Sequence, residues 1–353
     1  MATPPILDFD RLLAPISSDA PTGRDLRADP SPVSDYQQLK LAVRTARDAQ
    51  KRLRESAGLP GLDGDDTPTP DWKNVLTSTS RLLAETTKDL ELATWLLEAS
   101  IHLNGFAGLR DGFRLFRELS ERYWDSLFPL ADPTDGMEPR IQGLSGLNGL
   151  DRPGPLVLTI STIPLTDPGS GEPYARWHFQ QAAEVSAIAD PEKRQRRIEA
   201  GAVSMEDILR RVGETSPGTF ADLREDLEGC LAEMRQLAAA LEDRCGTDAS
   251  GRPVNPSLHH VRQALEQCLE IAAEYAPPPV APAEDRNDLG ASSGVEARAG
   301  TDEAHASTST GGGVMGSEPA PRAGIASRED AFQTLRRVAD FFRRVRGSKA
   351  PAE

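Results

Sequence analysis

Cysteine, histidine and aromatic residues are scarce in this sequence of 353 residues, and it has no long apolar run. The three cysteines (Cys230, Cys245, Cys268) are an odd number with no C-x-x-C pair. They therefore point to neither a disulfide framework nor a zinc site. Cys230 and Cys268 lie beside Leu231 and Leu269 in helical patterns, where a small, buried thiol fits. The five histidines (His102, His178, His259, His260, His305) form no H-E-x-x-H or H-x-x-x-H pair. His102 falls on the apolar helix of Leu96 and Leu103 and reads as a core or boundary residue. Aromatics make up 5% of the chain and hydrophobic residues 38%, against roughly 45–50% apolar residues in a globular domain. Nothing approaches the ~20 apolar residues of a transmembrane helix. The start, MATPPILDFDRLL, lacks the basic and apolar regions of a signal peptide. With 55 acidic and 40 basic side chains the net charge is −15, a field hostile to general nucleic-acid binding. A soluble, acidic, cytoplasmic protein is expected.

What is present is helical periodicity, interrupted once by a low-complexity stretch. Residues 276–325 contain no aromatic, and 32 of these 50 residues are Ala, Gly, Pro, Ser or Thr. Such a segment cannot bury enough apolar surface to offset its chain entropy, so a disordered linker is expected. Upstream, Leu39, Val43, Ala46 and Leu53 mark one helix. Asp71 precedes the apolar stripe Trp72, Val75, Leu76, Leu82 and Leu83 as an N-cap. Leu92, Trp95, Leu96, Ala99 and Leu103 form the next stripe, stopped by Asn104-Gly105. Leu109, Phe113, Phe116, Leu119, Tyr123 and Leu127 follow, then Met137, Ile141, Leu144 and Leu147.

The β-branched, proline-bounded run PGPLVLTISTIPLTDPGSG (153–171) reads as extended chain. Beyond it, Ser204-x-x-Asp207 has the form of a capping box, and Ser216-Pro217 opens a long helix. The stripe Phe220, Leu223, Leu227, Leu231, Met234, Leu237 and Leu241 pairs with Leu258, Val261, Leu265, Leu269 and Ala272 as an αα-hairpin. After the linker, Phe332, Leu335, Val338 and Phe342 share one face of a short helix whose other side is basic. Residues 326–353 carry seven basic and four acidic side chains. So short an amphipathic helix must dock on something, by folding back, self-association or partner binding.

The expected architecture is all-α. An N-terminal helical bundle (1–152) is followed by an extended connector (153–173), a middle helical domain (174–275), the linker (276–325) and the C-terminal helix (326–353). Signals for chemistry are weak. No phosphate loop or G-x-S-x-G is present, and Gly143, Gly146 and Gly149 match no dinucleotide fingerprint. Asp63-Gly64-Asp65-Asp66 lacks the alternating ligands and closing glutamate of a calcium loop. Neither catalytic residues nor a cofactor or metal is expected, and a hydrolase acting on envelope material has no motif behind it.

Five blocks in order carry a family pattern. They are Pro15-I-S-S-D-A-P-T-Gly23-R-Asp25-Leu26-R, then Pro70-Asp71-Trp72, then Thr87-Lys88-Asp89-Leu90. Gly105-Phe106-Ala107-Gly108-Leu109-x-x-Gly112 and Tyr123-Trp124-Asp125 before Pro129 complete the set. Together they resemble the ImpA N-terminal domain of the TssA proteins of bacterial type VI secretion systems. SREDAFQTLRRVADFFRR resembles the start of the C-terminal region of shorter members, which continues there through a motif like EPHSP. Here the sequence runs into RGSKAPAE, so a shortened multimerisation region is expected.

The resemblance implies a noncatalytic assembly factor that recruits and orders baseplate, sheath and tube proteins. It also implies self-association, contact with the ATPase that recycles the sheath, and a place beside the membrane-anchored apparatus. The alternative is an adaptor or regulatory protein that keeps the N-terminal domain without ring assembly. The block residues read as fold determinants. Asp71 and Asp89 cap helices, Gly105 and Gly108 allow a tight turn, and Tyr123 and Trp124 bury large area with polar tips.

Overall fold

The computed structural model describes residues 3–56, 69–132, 136–169, 171–247, 251 and 254–275. The loop around Asp63–Asp66, the linker 276–325 and the C-terminal segment with Phe332, Leu335, Val338 and Phe342 lie outside the described residues. Among those described, all regular structure is helical: α1 (Phe9–Leu13), α2 (Asp35–Ser56), α3 (Trp72–Glu85), α4 (Leu90–Tyr123), α5 (Glu138–Asn148) and α6 (Pro155–Thr162). Then come α7 (Arg176–Ser186), α8 (Pro191–Glu199), α9 (Met205–Glu214), α10 (Pro217–Cys245) and α11 (His259–Tyr275), with one 3-10 turn at Leu26–Ala28. The all-α expectation holds.

The centre is α4, which folds back on itself. Gly105 has φ 56° and ψ −137°, a conformation open to glycine and strained for other residues. The arms 90–104 and 106–123 then lie so close that a Cβ on Gly108 would sit 2.1 Å from the Ser100 carbonyl oxygen. One on Gly112 would sit 2.8 Å from Leu97 Cγ. Leu92, Leu96, Leu97, Leu109, Phe113, Phe116 and Leu119 are completely buried here. α3 and α10 both pack on this hairpin, and α11 packs on α10.

Residues on either side of the expected boundary at 152 therefore share a core. Cys230 of α10 donates its thiol proton to the Phe106 carbonyl at 3.0 Å. The stretch before α1 is tied to the same core. Asp111 accepts from the Ile6 and Leu7 amides, and Asp226 accepts from the Thr3 amide and hydroxyl.

The extended reading of 153–173 is corrected over Pro155–Thr162, which is α6. Gly154 is the N-cap and Pro155 occupies the first turn, where its missing N–H costs no hydrogen bond. Leu156, Val157, Thr159 and Ile160 are buried, and that burial exceeds the weak helix preference of β-branched residues. After α6 the described chain runs through bends and a turn, with an isolated bridge between Pro164 and Ala175.

The capping signals act as their spacing indicates. Ser204 and Asp207 bond reciprocally at the start of α9, and the Ser216 hydroxyl accepts from the Gly218 amide at the start of α10.

Candidate functional site

α3 (Trp72–Glu85) runs between the two ends of the 90–104 arm and separates the motif blocks into two groups. Its fourteen residues span about 20 Å.

At one end lie the first, third and fifth blocks. Pro15 is exposed at the start of a loop closed by the Ile16 amide on the Pro21 carbonyl, 2.9 Å. Gly23 follows with φ 71°, and a Cβ there would lie 2.1 Å from the Thr86 carbonyl oxygen. Glycine thus lets the first block pair with the third: Arg24 N–H donates to Thr86 O at 3.2 Å and Lys88 N–H to Thr22 O at 2.8 Å. On the far side of Lys88 the chain pairs with Phe128. Phe128 N–H donates to Lys88 O at 3.0 Å and Leu90 N–H to Phe128 O at 2.8 Å. Three segments far apart in sequence are laced together without a sheet.

Charges lock this junction. Asp89 is buried and N-caps α4, accepting from the Glu91 and Leu92 amides at 2.8 and 3.2 Å. Arg27 reaches both oxygens of Asp89 at 2.7 and 3.1 Å, Asp25 at 2.9 Å and Glu91 at 2.8 Å. Asp25 also caps the 3-10 turn through the Arg27 amide, and Leu26 is buried beneath it. Tyr36 donates its hydroxyl to Glu91 at 2.9 Å and stacks on Trp95.

Burial works against the Arg27 charge, but Asp89 and Glu91 more than offset it, so its pKa is raised. Burial raises the Asp89 carboxyl, against the pull of Arg27. Burial, then the Glu91 charge, raises the Tyr36 hydroxyl.

Lys88 is the unexpected member. Its side chain is buried, and Nζ donates to the Leu12 and Leu83 carbonyls at 2.7 and 2.6 Å, near the C-terminal ends of α1 and α3. Burial lowers its pKa to about 8. Tyr123 donates to the Leu13 carbonyl at 2.7 Å and so holds the same α1. Trp124 is buried under the Arg140 guanidinium, 3.8 Å from its ring centroid, and Arg140 donates to the Trp124 and Leu127 carbonyls.

At the other end lie the second and fourth blocks. Asp71 accepts from the Asn74 amide at 3.0 Å and caps α3. Trp72 is buried, donates its indole N–H to Gln50 at 3.2 Å and stacks flat on His102 at 4.2 Å. His102 also contacts the Thr159 hydroxyl at 3.3 Å, and burial, with Arg54 nearby, lowers its pKa to about 4. Gly105, Phe106, Gly108, Leu109 and Gly112 form the α4 corner and its close packing, with Phe106 and Leu109 buried.

Asp25, Arg27, Lys88, Asp89 and Tyr123 of the near-end blocks thus spend their polar groups on backbone and on one another. Reading the sequence alone misses the roles of Arg27, Tyr36, Glu91, Lys88 and Arg140. Arg27 and Lys88 stand inside quoted blocks, but their partners are remote.

Beside the junction lies an open cleft of about 560 Å³, lined by Arg24 to Leu26, Ala28, Asp29 and Val33 to Tyr36. Arg24 is exposed at its edge, and Val33 is 82% exposed. The thiols are unsuited to nucleophilic roles: all three are buried, and burial pushes Cys268 up to about 12. Among the described residues no cluster of three or more His, Cys, Asp or Glu could hold a metal ion. No described helix is long and apolar enough to cross a membrane.

Residues 13–149 match the family model described as ImpA, N-terminal, type VI secretion system. The chain is 29% identical over 341 residues to the type VI secretion system component TssA1 of Pseudomonas aeruginosa, covering 96% of this chain and 86% of that protein. A solved structure matches the fold with a TM-score of 0.58 at 26% identity, over 76% of this chain and 93% of the other. It is the N-terminal domain, including the conserved ImpA_N region, of the TssA component of the type VI secretion system from Burkholderia cenocepacia. The sequence match, the relative and the fold point the same way: residues 13–149 carry an ImpA N-terminal region, and over most of its length this chain is similar to TssA components of type VI secretion systems.

Proposed function

We propose that this chain is a noncatalytic assembly factor that recruits and orders baseplate and tail tube and sheath components while the secretion apparatus is built. The observation that supports this reading is the use made of the family blocks. Asp25, Arg27, Lys88, Asp89 and Tyr123 hold backbone segments together, as a scaffold requires, and Asp71, Gly105 and Gly108 shape the opposite end. Binding to partners then falls to the outer surface of the bundle. Action on the cytoplasmic side, beside the membrane-anchored apparatus, and self-association through the C-terminal region belong to the same reading.

The test has two parts. Deleting the gene should abolish appearance of the tube protein in culture supernatant, and the intact gene should restore it. The purified full chain should capture sheath or baseplate subunits in a pairwise pull-down. Normal secretion after deletion, with no subunit captured, defeats the proposal.

A further inference from the structure

The helix α8 (Pro191–Glu199) buries none of its residues. Short helices owe most of their stability to an amphipathic face packed on a core, and α8 contributes no buried side chain to one. What it presents instead is charge. Lys193, Arg194, Arg196 and Arg197 fall within about 6 Å along the axis and share an arc of about 160°. Like charges at these spacings repel one another along a helix.

Asp190, Glu192 and Glu199 flank the patch, but among the described residues no ion pair shorter than 3.9 Å joins them to it. Lys193 has only a distant contact with Asp190, 3.9 Å, and Arg196 donates to the Glu192 carbonyl. The guanidinium groups of Arg194 and Arg197 have no partner among the described residues. This dense positive patch sits on a chain of net charge −15. It also lies outside residues 13–149, the span matched by the family model.

We propose that the basic face of α8 is a docking surface for an acidic segment of another protein. Arginine forks match carboxylates in paired hydrogen bonds. Three to five carboxylates within one or two turns, or in a short strand, would cover the patch. Its size favours such a partner over a nucleic acid or an anionic membrane. Screening limits the attraction to about 8–10 Å at physiological salt. A long polyanion would therefore run off the patch and onto the acidic remainder of the molecule. The inference is independent of the assembly role and names a surface that role does not specify.

The test uses the full chain and a fluorescein-labelled twelve-residue Asp/Glu peptide, read by anisotropy at low and physiological salt. Binding should be salt-sensitive and should weaken about tenfold or more in R194E/R196E/R197E. The control K40E/R44E/R52E, on the exposed side of α2, makes the same change in net charge and should weaken binding by less than about threefold. Circular dichroism and Tm should match wild type, since no buried side chain is touched. If the reversal disturbs folding, R194Q/R196Q/R197Q carries the same expectation. Several results would overturn the proposal: no peptide binding, equal loss in both triple variants, or α8-dependent binding of single-stranded DNA or anionic vesicles in place of the peptide. Self-association abolished by the α8 reversal would overturn it as well.

Discussion

Arg27 and Asp89 stand 62 residues apart in sequence and 2.7 Å apart in space, and their pairing joins the first motif block to the N-cap of α4. Asp89 does two things there: it satisfies two amides at the helix start and neutralises the guanidinium that spans Asp25 and Glu91.

Removing either partner should be costly for different reasons. Asp89→Ala removes a cap, worth about 0.5–2 kcal/mol, and deprives Arg27 of its most buried partner. Arg27→Ala leaves a buried carboxylate without its cation, and breaking such a pair costs about 3–5 kcal/mol. Urea unfolding followed by circular dichroism should show Arg27→Ala destabilised by at least about 2 kcal/mol, since part of Arg27 faces solvent. The double variant should lose less than the sum of the two singles. Strict additivity would mean that the two residues do not act as a unit.

Much of the fold was legible because its signals are local. Asp71, Ser204-x-x-Asp207 and Ser216-Pro217 each act on amides within three residues, and leucine stripes report burial at fixed spacing. The junction was legible only as a set of residues. Nothing in the spacing says that Thr22 meets Lys88, that Lys88 reaches Leu12, or that Arg27 finds Asp89, because the intervening chain of α2 and α3 has to return before they meet. The misreading of 155–162 has the opposite cause. There a local preference for extended chain yields to the packing of Leu156 and Ile160 against the bundle.

The close approach of the two α4 arms gives a sharper test than residue burial alone. Gly108→Ala would place a methyl group 2.1 Å from the Ser100 carbonyl oxygen, so the backbones must separate. A cost of about 1–3 kcal/mol or more is expected from overpacking. Gly146→Ala is the control. It is also helical, but nothing lies within 4 Å of the added carbon. There, better helix propensity should stabilise by about 0.5–1 kcal/mol. Thermal melts should move in opposite directions, and a neutral Gly108→Ala would contradict the hairpin geometry.

Acid should weaken the far end of α3 before it titrates most carboxylates. The His102 pKa falls from 6.5 to about 4 on folding, chiefly by burial. Between those values the unfolded chain binds a proton that the folded chain refuses, so stability is lost as pH falls. The contribution from His102 between pH 7 and 5 is about 1–2 kcal/mol. His178 has its pKa lowered to about 4 in the same way and adds to the slope. Urea midpoints for wild type and His102→Gln should converge over this interval, since only wild type carries the His102 proton linkage. Parallel pH profiles would show that His102 protonates freely in the folded state.

Lys88 tests the near end from the alkaline side. Its pKa is about 10.5 in an unfolded chain and about 8 in the folded one. Between those values the unfolded state holds the extra proton, so this group makes stability rise with pH from about 8 to 10.5. At neutral pH the buried charge is a cost, offset by its bonds to Leu12 and Leu83. Lys88→Met keeps the length and removes the charge, but it leaves two carbonyls without this donor. Each unsatisfied group costs about 1–3 kcal/mol. The net expectation is a variant less stable at pH 7, by about 1–3 kcal/mol, because relief of the buried charge offsets part of that loss. Its stability should also lack the rise toward pH 10 that wild type shows after correction for other groups. Hydrogen exchange should locate the damage: amides of α1 should exchange faster while those of the 106–123 arm keep their protection. Uniform loss of protection would mean that Lys88 supports the whole core, and unchanged protection in α1 would mean that Tyr123 alone holds that helix in place.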